Sequence, residues 1–108
     1  MPPCPKPRHK RKVPKLKQRN DFSPDTKLRI AERSGGTCEW CGMALATDYH
    51  HVKFRSAGGR GVYTNGLHGC NRCHRMAHID ARTRREMEQK HISMYGEDYY
   101  KDEWDVKT

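Results

Sequence analysis

Long apolar runs are missing from this 108-residue chain. No stretch approaches the roughly 18 residues that read as a membrane-spanning helix, so no membrane partner is expected. Apolar residues are scarce altogether: 33% of the chain is hydrophobic, with two Phe and two Trp, and the mean hydropathy is −1.14. A chain this short makes one domain at most and buries only a modest share of its surface. Something besides an apolar core must hold it together, and at this size a structural metal is a common solution. No secretory leader is read either, because the amino terminus is basic and proline-rich with no apolar segment behind it. The expected location is the cytoplasm, where paired cysteines serve metals more often than disulfides.

Acidic residues are missing from the first 20 positions, which hold eight Lys or Arg. Residues 21–96 carry a net +4 and residues 97–108 a net −3, within an overall +9. A basic arm ahead of a mildly basic domain points to a polyanionic partner, most often nucleic acid. Residues 1–22, broken by Pro2, Pro3, Pro5, Pro7 and Pro14, read as an extended, disordered basic arm. Cys4 lies there, far from the other cysteines, and reads as a free thiol. The acidic segment 97–108 carries no motif.

Between these ends, residues 23–96 read as the folded domain. In "SPDTKLRIAERSGG" Ser23 suits a helix N-cap, Pro24 the first position and Gly35–Gly36 the stop. Leu28 and Ile30 give that helix limited apolar contact. "TDYHHVKF" predicts a strand, "RSAGGRG" a glycine-rich loop and "VYTNGLHGC" an irregular second strand. A short helix is expected over 72–79. Another follows, with Asp80 as N-cap and Gly96 as stop, and its polar character predicts a surface helix.

The cysteines carry the first chemical signal. Cys38, Cys41, Cys70 and Cys73 form two C-x2-C pairs, and four thiolates suit a closed, tetrahedral structural zinc site. Metal binding is then coupled to folding, which explains how so polar a chain folds. Twenty-eight residues separate Cys41 from Cys70, enough for a two-stranded hairpin. That insert holds His50, His51 and Asn65.

The histidines carry the second. His74 and His78 are four apart, so a helix sets both imidazoles on one face. His50 and His51 are the candidates for a third nitrogen. Adjacent strand residues point to opposite faces, so one of the pair can bind a metal while the other stays available for proton transfer. His9, His68 and His91 read as solvated surface residues.

Together "CEWCG", "YHHVKFRSAGG" and "NGLHGCNRCHRMAH" resemble the HNH endonucleases, of the His-Me finger or ββα-metal nucleases. The resemblance spans about residues 29–79, and this size with a basic arm is similar to the small phage-encoded members found near DNA-packaging genes. It implies a small α+β, metal-stabilised domain: a ββα-metal core framed by the four-cysteine zinc site and flanked by helices. It further implies that His51 is the general base and that Asn65 hydrogen-bonds near it to orient the ring. His50, His74 and His78 would hold a catalytic divalent metal. Many relatives have Asp where His50 stands; three imidazoles favour Zn²⁺, Ni²⁺, Co²⁺ or Mn²⁺ over Mg²⁺. The glycines of "NGLHGC" replace a more apolar strand and leave the geometry around Asn65 open.

The expected function is therefore metal-dependent hydrolysis of DNA phosphodiesters, with weak sequence preference. Lys53, Arg55, Arg60, Arg72 and Arg75 are candidates for phosphate contacts. Terminase or other packaging proteins are partners by resemblance alone. The alternatives are a non-catalytic zinc ribbon that binds nucleic acid or protein, and a zinc-stabilised transcription regulator, although no recognition helix is read.

Overall fold

Ser23 starts the first full helix as its sequence predicts. In the computed structural model, which describes residues 12–105, its hydroxyl accepts a hydrogen bond from the Thr26 amide at 3.1 Å. Pro24 opens the helix and Gly35 ends it in the left-handed conformation, at φ 64°. This helix, Pro24–Ser34, is the second of four; a five-residue turn, Leu16–Asn20, precedes it as α1 and makes it α2. Ile30 on α2 is fully buried, whereas Leu28 faces solvent.

Strands β1 (Asp48–His51) and β2 (Gly66–Gly69) form one antiparallel pair. The register sets His50 opposite Leu67 and His51 opposite Gly66. The glycines of β2 are what allow this packing. A Cβ on Gly66 would lie 2.4 Å from the Ile30 side chain, so α2 crosses the sheet where β2 has no side chain. Between the strands, short 3-10 turns at Arg55–Ala57 and Tyr63–Asn65 fold the connection back on itself.

β2 runs directly into α3 (Asn71–Ile79), capped by the Cys70 sulfur, which accepts from the Cys73 amide at 3.5 Å. α3 stops at Asp80, whose carboxylate caps α4 (Ala81–Tyr95) by accepting from the Arg82 amide and the Thr83 hydroxyl. The buried cluster joins Cys38, Cys70 and Cys73 to Val52, Leu67, Ala77, Met87 and Tyr99. The result is a small α+β domain with a two-stranded sheet and four clustered cysteines.

Three sequence expectations need correction. α4 is not only a surface helix: Met87 is fully buried, and so is His91, whose Nδ1–H donates to the Thr64 carbonyl at 2.9 Å. His68, also expected in solvent, is buried, stacked on Tyr49 and bonded through Nδ1 to Ser34 Oγ at 2.6 Å. Residues 16–20 of the supposed extended arm are helical. Residues 97–105, which carry no sequence motif, are tied into the fold: Tyr99 enters the core and Asp102 and Asp105 make ion pairs. In each case a partner distant in sequence supplies what local composition lacks. The expectations for Cys4, His9 and the first 11 residues lie outside the described residues. Among the described residues no helix is long and apolar enough to cross a membrane.

Candidate metal centres and the histidine cleft

The sulfurs of Cys38, Cys41, Cys70 and Cys73 all lie within 4.8 Å of one another, and none forms a disulfide. Zinc–sulfur bonds of about 2.3 Å in a tetrahedron place sulfurs about 3.8 Å apart, and Cys41 and Cys70 are 3.9 Å apart. The two halves are built alike. The Cys41 amide points at the Cys38 sulfur, and the Cys73 amide at that of Cys70, each at 3.5 Å. Gly42, at φ 68°, turns the first knuckle. Burial works against ionising Cys38, but amides of Cys41, Cys70 and Trp40 around its sulfur outweigh that and bring the thiol down to about 6. Cys73 is pushed up by burial and by the neighbouring sulfurs. Cys38 thus forms a thiolate readily, whereas Cys73 needs a bound cation to draw it into ionised form. The donor set and spacing fit a structural zinc.

A second group lies one residue further along α3. His50, His74 and His78 each bring a ring nitrogen to within 4.8 Å of the others. His50 comes from β1, while the i,i+4 pair comes from one face of α3. The adjacent Cys73 points to the sulfur cluster, so the start of α3 serves both groups. Among the described residues, His50 Nε2 is the single buried side-chain polar atom without a hydrogen-bond partner. Such a vacancy costs about 1–3 kcal/mol, and the protein places two more imidazoles against it. Burial, then the neighbouring His74 and His78, lowers His50 to about 3, so it stays neutral and ligand-competent. These residues fit a divalent ion.

Asp48 completes this arrangement, and the sequence reading missed it. Its Oδ2 accepts from His74 Nδ1 at 2.9 Å, leaving Nε2 as the nitrogen that faces the cluster. The available signal was strand periodicity: Asp48 and His50 are two apart and share a face. A carboxylate behind a ligand imidazole fixes its tautomer and raises its basicity. If the three histidines hold a metal ion, Asp48→Ala is expected to weaken its binding by about 10–100-fold, without changing the zinc content. Titration of a zinc-loaded sample with Ni²⁺ or Mn²⁺ reads this directly; equal affinities would remove Asp48 from the site.

His51 points elsewhere. Its Nε2 lies 2.5 Å from the Asn20 carbonyl and its ring stacks on Phe22 at 4.2 Å. A carbonyl can only accept, so Nε2 carries the proton and Nδ1 the lone pair. Burial lowers the His51 pKa; the Asn20 carbonyl opposes this, and the Arg55 charge adds to the lowering. His50, His51, His74 and His78 line one cleft with Tyr49, Phe54 and Arg55. Phe54 forms its wall, stacked on His78 at 4.7 Å and covered by the Arg84 guanidinium.

Asn65 does not touch the His51 ring, contrary to the expected orienting bond. Fully buried, it accepts from the Lys53 amide at 2.8 Å and donates to the carbonyls of Lys53 and Arg60 at 3.2 and 2.9 Å. Asn65 thus closes the 53–60 loop, and it reaches the histidines only through backbone: its carbonyl accepts from Val52 at 2.9 Å. A Cβ on Gly59 would sit 1.7 Å from the Lys53 carbonyl oxygen, so the loop can close only with glycine there.

The basic candidates divide. Arg55 is exposed on the cleft wall and pairs with Asp21 at 2.7 Å. Lys53 is half-buried, 3.5 Å from Glu88 and over the Tyr100 ring. Arg72 and Arg75 are exposed on α3 and make no ion pair among the described residues. Arg60 is no free phosphate clamp: its part-buried guanidinium is already engaged by Asp105 and Asn20. Compared with protein-family models and with curated protein sequences, the chain matches none.

Proposed function

We propose that this protein is a metal-dependent DNA endonuclease of the HNH type, with a ββα-metal core at β1, β2 and α3. The observation that carries the reading is the convergence of three imidazoles on a buried, unpartnered His50 Nε2, beside a separately held His51. A zinc ribbon that only binds a partner has no use for this arrangement, and would bear its desolvation cost for nothing.

His50, His74 and His78 would hold a divalent ion, and Asp48 would orient His74. Such an ion supplies charge neutralisation at the scissile phosphate and at the departing oxygen. Three neutral nitrogen ligands favour Zn²⁺, Ni²⁺, Co²⁺ or Mn²⁺ over Mg²⁺. His51, with its Nε2–H tied to the Asn20 carbonyl, takes a proton from water on Nδ1. Its lowered pKa keeps that nitrogen free at neutral pH. Arg55 on the cleft wall and Arg75 on α3 receive neighbouring phosphates, and contacts of this kind carry little sequence information.

The test is conversion of supercoiled plasmid to nicked circle by the zinc-loaded protein with added Mn²⁺, Ni²⁺, Co²⁺ or Mg²⁺. Nicking is expected, strongest with a transition metal. No conversion with any of these ions defeats the nuclease reading and leaves a zinc-stabilised binding module.

A further inference from the structure

The segment that His51 leans on touches His51's own strand through Phe22, stacked on the His51 ring at 4.2 Å, but the helix before it needs further anchoring. The carbonyl that fixes the His51 ring belongs to Asn20, the last residue of α1. α1 has five residues and its N-cap residue makes no side-chain hydrogen bond. A helix that short has no independent stability in water, so its position must come from contacts made by the rest of the protein. The contacts are specific. The Arg19 guanidinium meets Asp102 at 2.7 and 2.9 Å and reaches Asp105 at 2.9 Å. Arg60 meets the same Asp105 carboxylate at 2.9 and 3.0 Å, and its Nη1 donates to Asn20 Oδ1 at 2.9 Å. The backbone repeats the arrangement: the Gly61 amide donates to the Arg19 carbonyl and the Arg60 amide to that of Tyr100. A Cβ on Gly61 would lie 2.1 Å from the Asp21 carbonyl oxygen, so the two segments touch along their backbones.

We infer that Asp102 and Asp105 form a carboxy-terminal clamp that, through Arg19 and Arg60, holds the Asn20 carbonyl against His51 and so positions that ring. The four charged side chains are between 11% and 19% exposed, so solvent and salt screen them less than surface pairs. Their bidentate geometry adds direction to attraction. Asp102 also braces its own turn, accepting from the Trp104 and Asp105 amides at 3.0 Å. Asp102, Asp105, Arg19 and Arg60 are positioning residues, acting on His51 through Asn20. Describing His51 as a base rests on the nuclease reading; the mechanical link does not.

The test uses the full-length, zinc-loaded protein and compares Asp105→Asn with Asp105→Glu. Nitrogen-resolved NMR of the histidine rings is the first measurement. In the wild type His51 is expected as a single Nε2–H tautomer with a slowly exchanging proton. In Asp105→Asn the tautomers mix and that proton exchanges fast, with zinc content unchanged, while Asp105→Glu keeps most of the wild-type signal. The second measurement is nicking. Asp105→Asn should lower kcat on the order of tenfold, as misplacement of a reacting group does, leave KM unchanged, and have no further effect in a His51→Ala background. An unaltered His51 ring in Asp105→Asn, or an equal loss of rate in both backgrounds, overturns the clamp. Should Asp105→Asn fail to fold, Asn20→Ala removes only the link to Arg60 and keeps the carbonyl. It should mix the tautomers partially, and an unchanged ring there also overturns the proposal. A wild type that nicks nothing defeats the nuclease reading alone, because the NMR comparison judges the clamp by itself.

Discussion

His51→Ala is expected to lower nicking on the order of 10²–10⁴-fold, the range that a positioned proton acceptor contributes. The fold should survive. The ring is only partly buried, and neither metal group uses it. Zinc content and the affinity for the second metal should therefore match the wild type. The pH dependence offers a further check. Burial and Arg55 lower His51 from its ordinary value of 6.5, and proton abstraction needs the neutral ring. Activity then falls as pH drops through the lowered value, so the midpoint of the acid limb of kcat/KM lies below pH 6.5 and the limb disappears in His51→Ala. A variant that nicks at the wild-type rate would remove His51 as the base. An acid limb above 6.5 would mean that a different group titrates.

Cys70→Ser is expected to unfold the domain, and a chelator that strips zinc should do the same. Magnitudes decide this. Zinc binding to small structural sites has apparent free energies of about 10–16 kcal/mol, as large as the whole stability of a typical domain, about 5–15 kcal/mol. The apolar core here is small and includes three of the ligand cysteines themselves. Cys70 has a second duty: its sulfur caps α3 and its carbonyl accepts from the His74 amide at 3.0 Å. Losing it releases the helix that carries His74 and His78. Circular dichroism and zinc quantification should show loss of helix together with loss of metal, and nicking should vanish with them. A folded Cys70→Ser protein with full zinc would show that the sulfur cluster is not structural. The wild type should hold two metal ions per chain, of which only the histidine-bound one exchanges without unfolding.

The Cys70→Ser prediction turns on α3, the part most legible in the sequence. CNRCHRMAH read as a helix start that gives sulfur to one metal and nitrogen to another; the four cysteines lie together, as do His74 and His78, and of the two candidates His50 and His51 it is His50 that joins them. Ser23, Gly35, Asp80 and the β1–β2 hairpin were legible for the same reason. Caps, i,i+4 pairs and strand alternation are local geometry, and local geometry follows from short stretches of chain.

What the sequence could not carry was the pairing of distant groups. Asn65 binds its own loop rather than the His51 ring, because the loop brings the Lys53 and Arg60 carbonyls within its reach. The ring takes the Asn20 carbonyl instead, and a backbone carbonyl has no residue-type signature. Arg60 looked like one more phosphate contact until folding placed Asp105 against it. The acidic end, without a motif of its own, pins the basic start through Arg19. The sequence by itself determined which residues can bind metal, since donor chemistry and short spacing belong to the residues. Only the tertiary structure decided which groups orient them, because a hydrogen bond or ion pair depends on distances across the fold that no local pattern specifies.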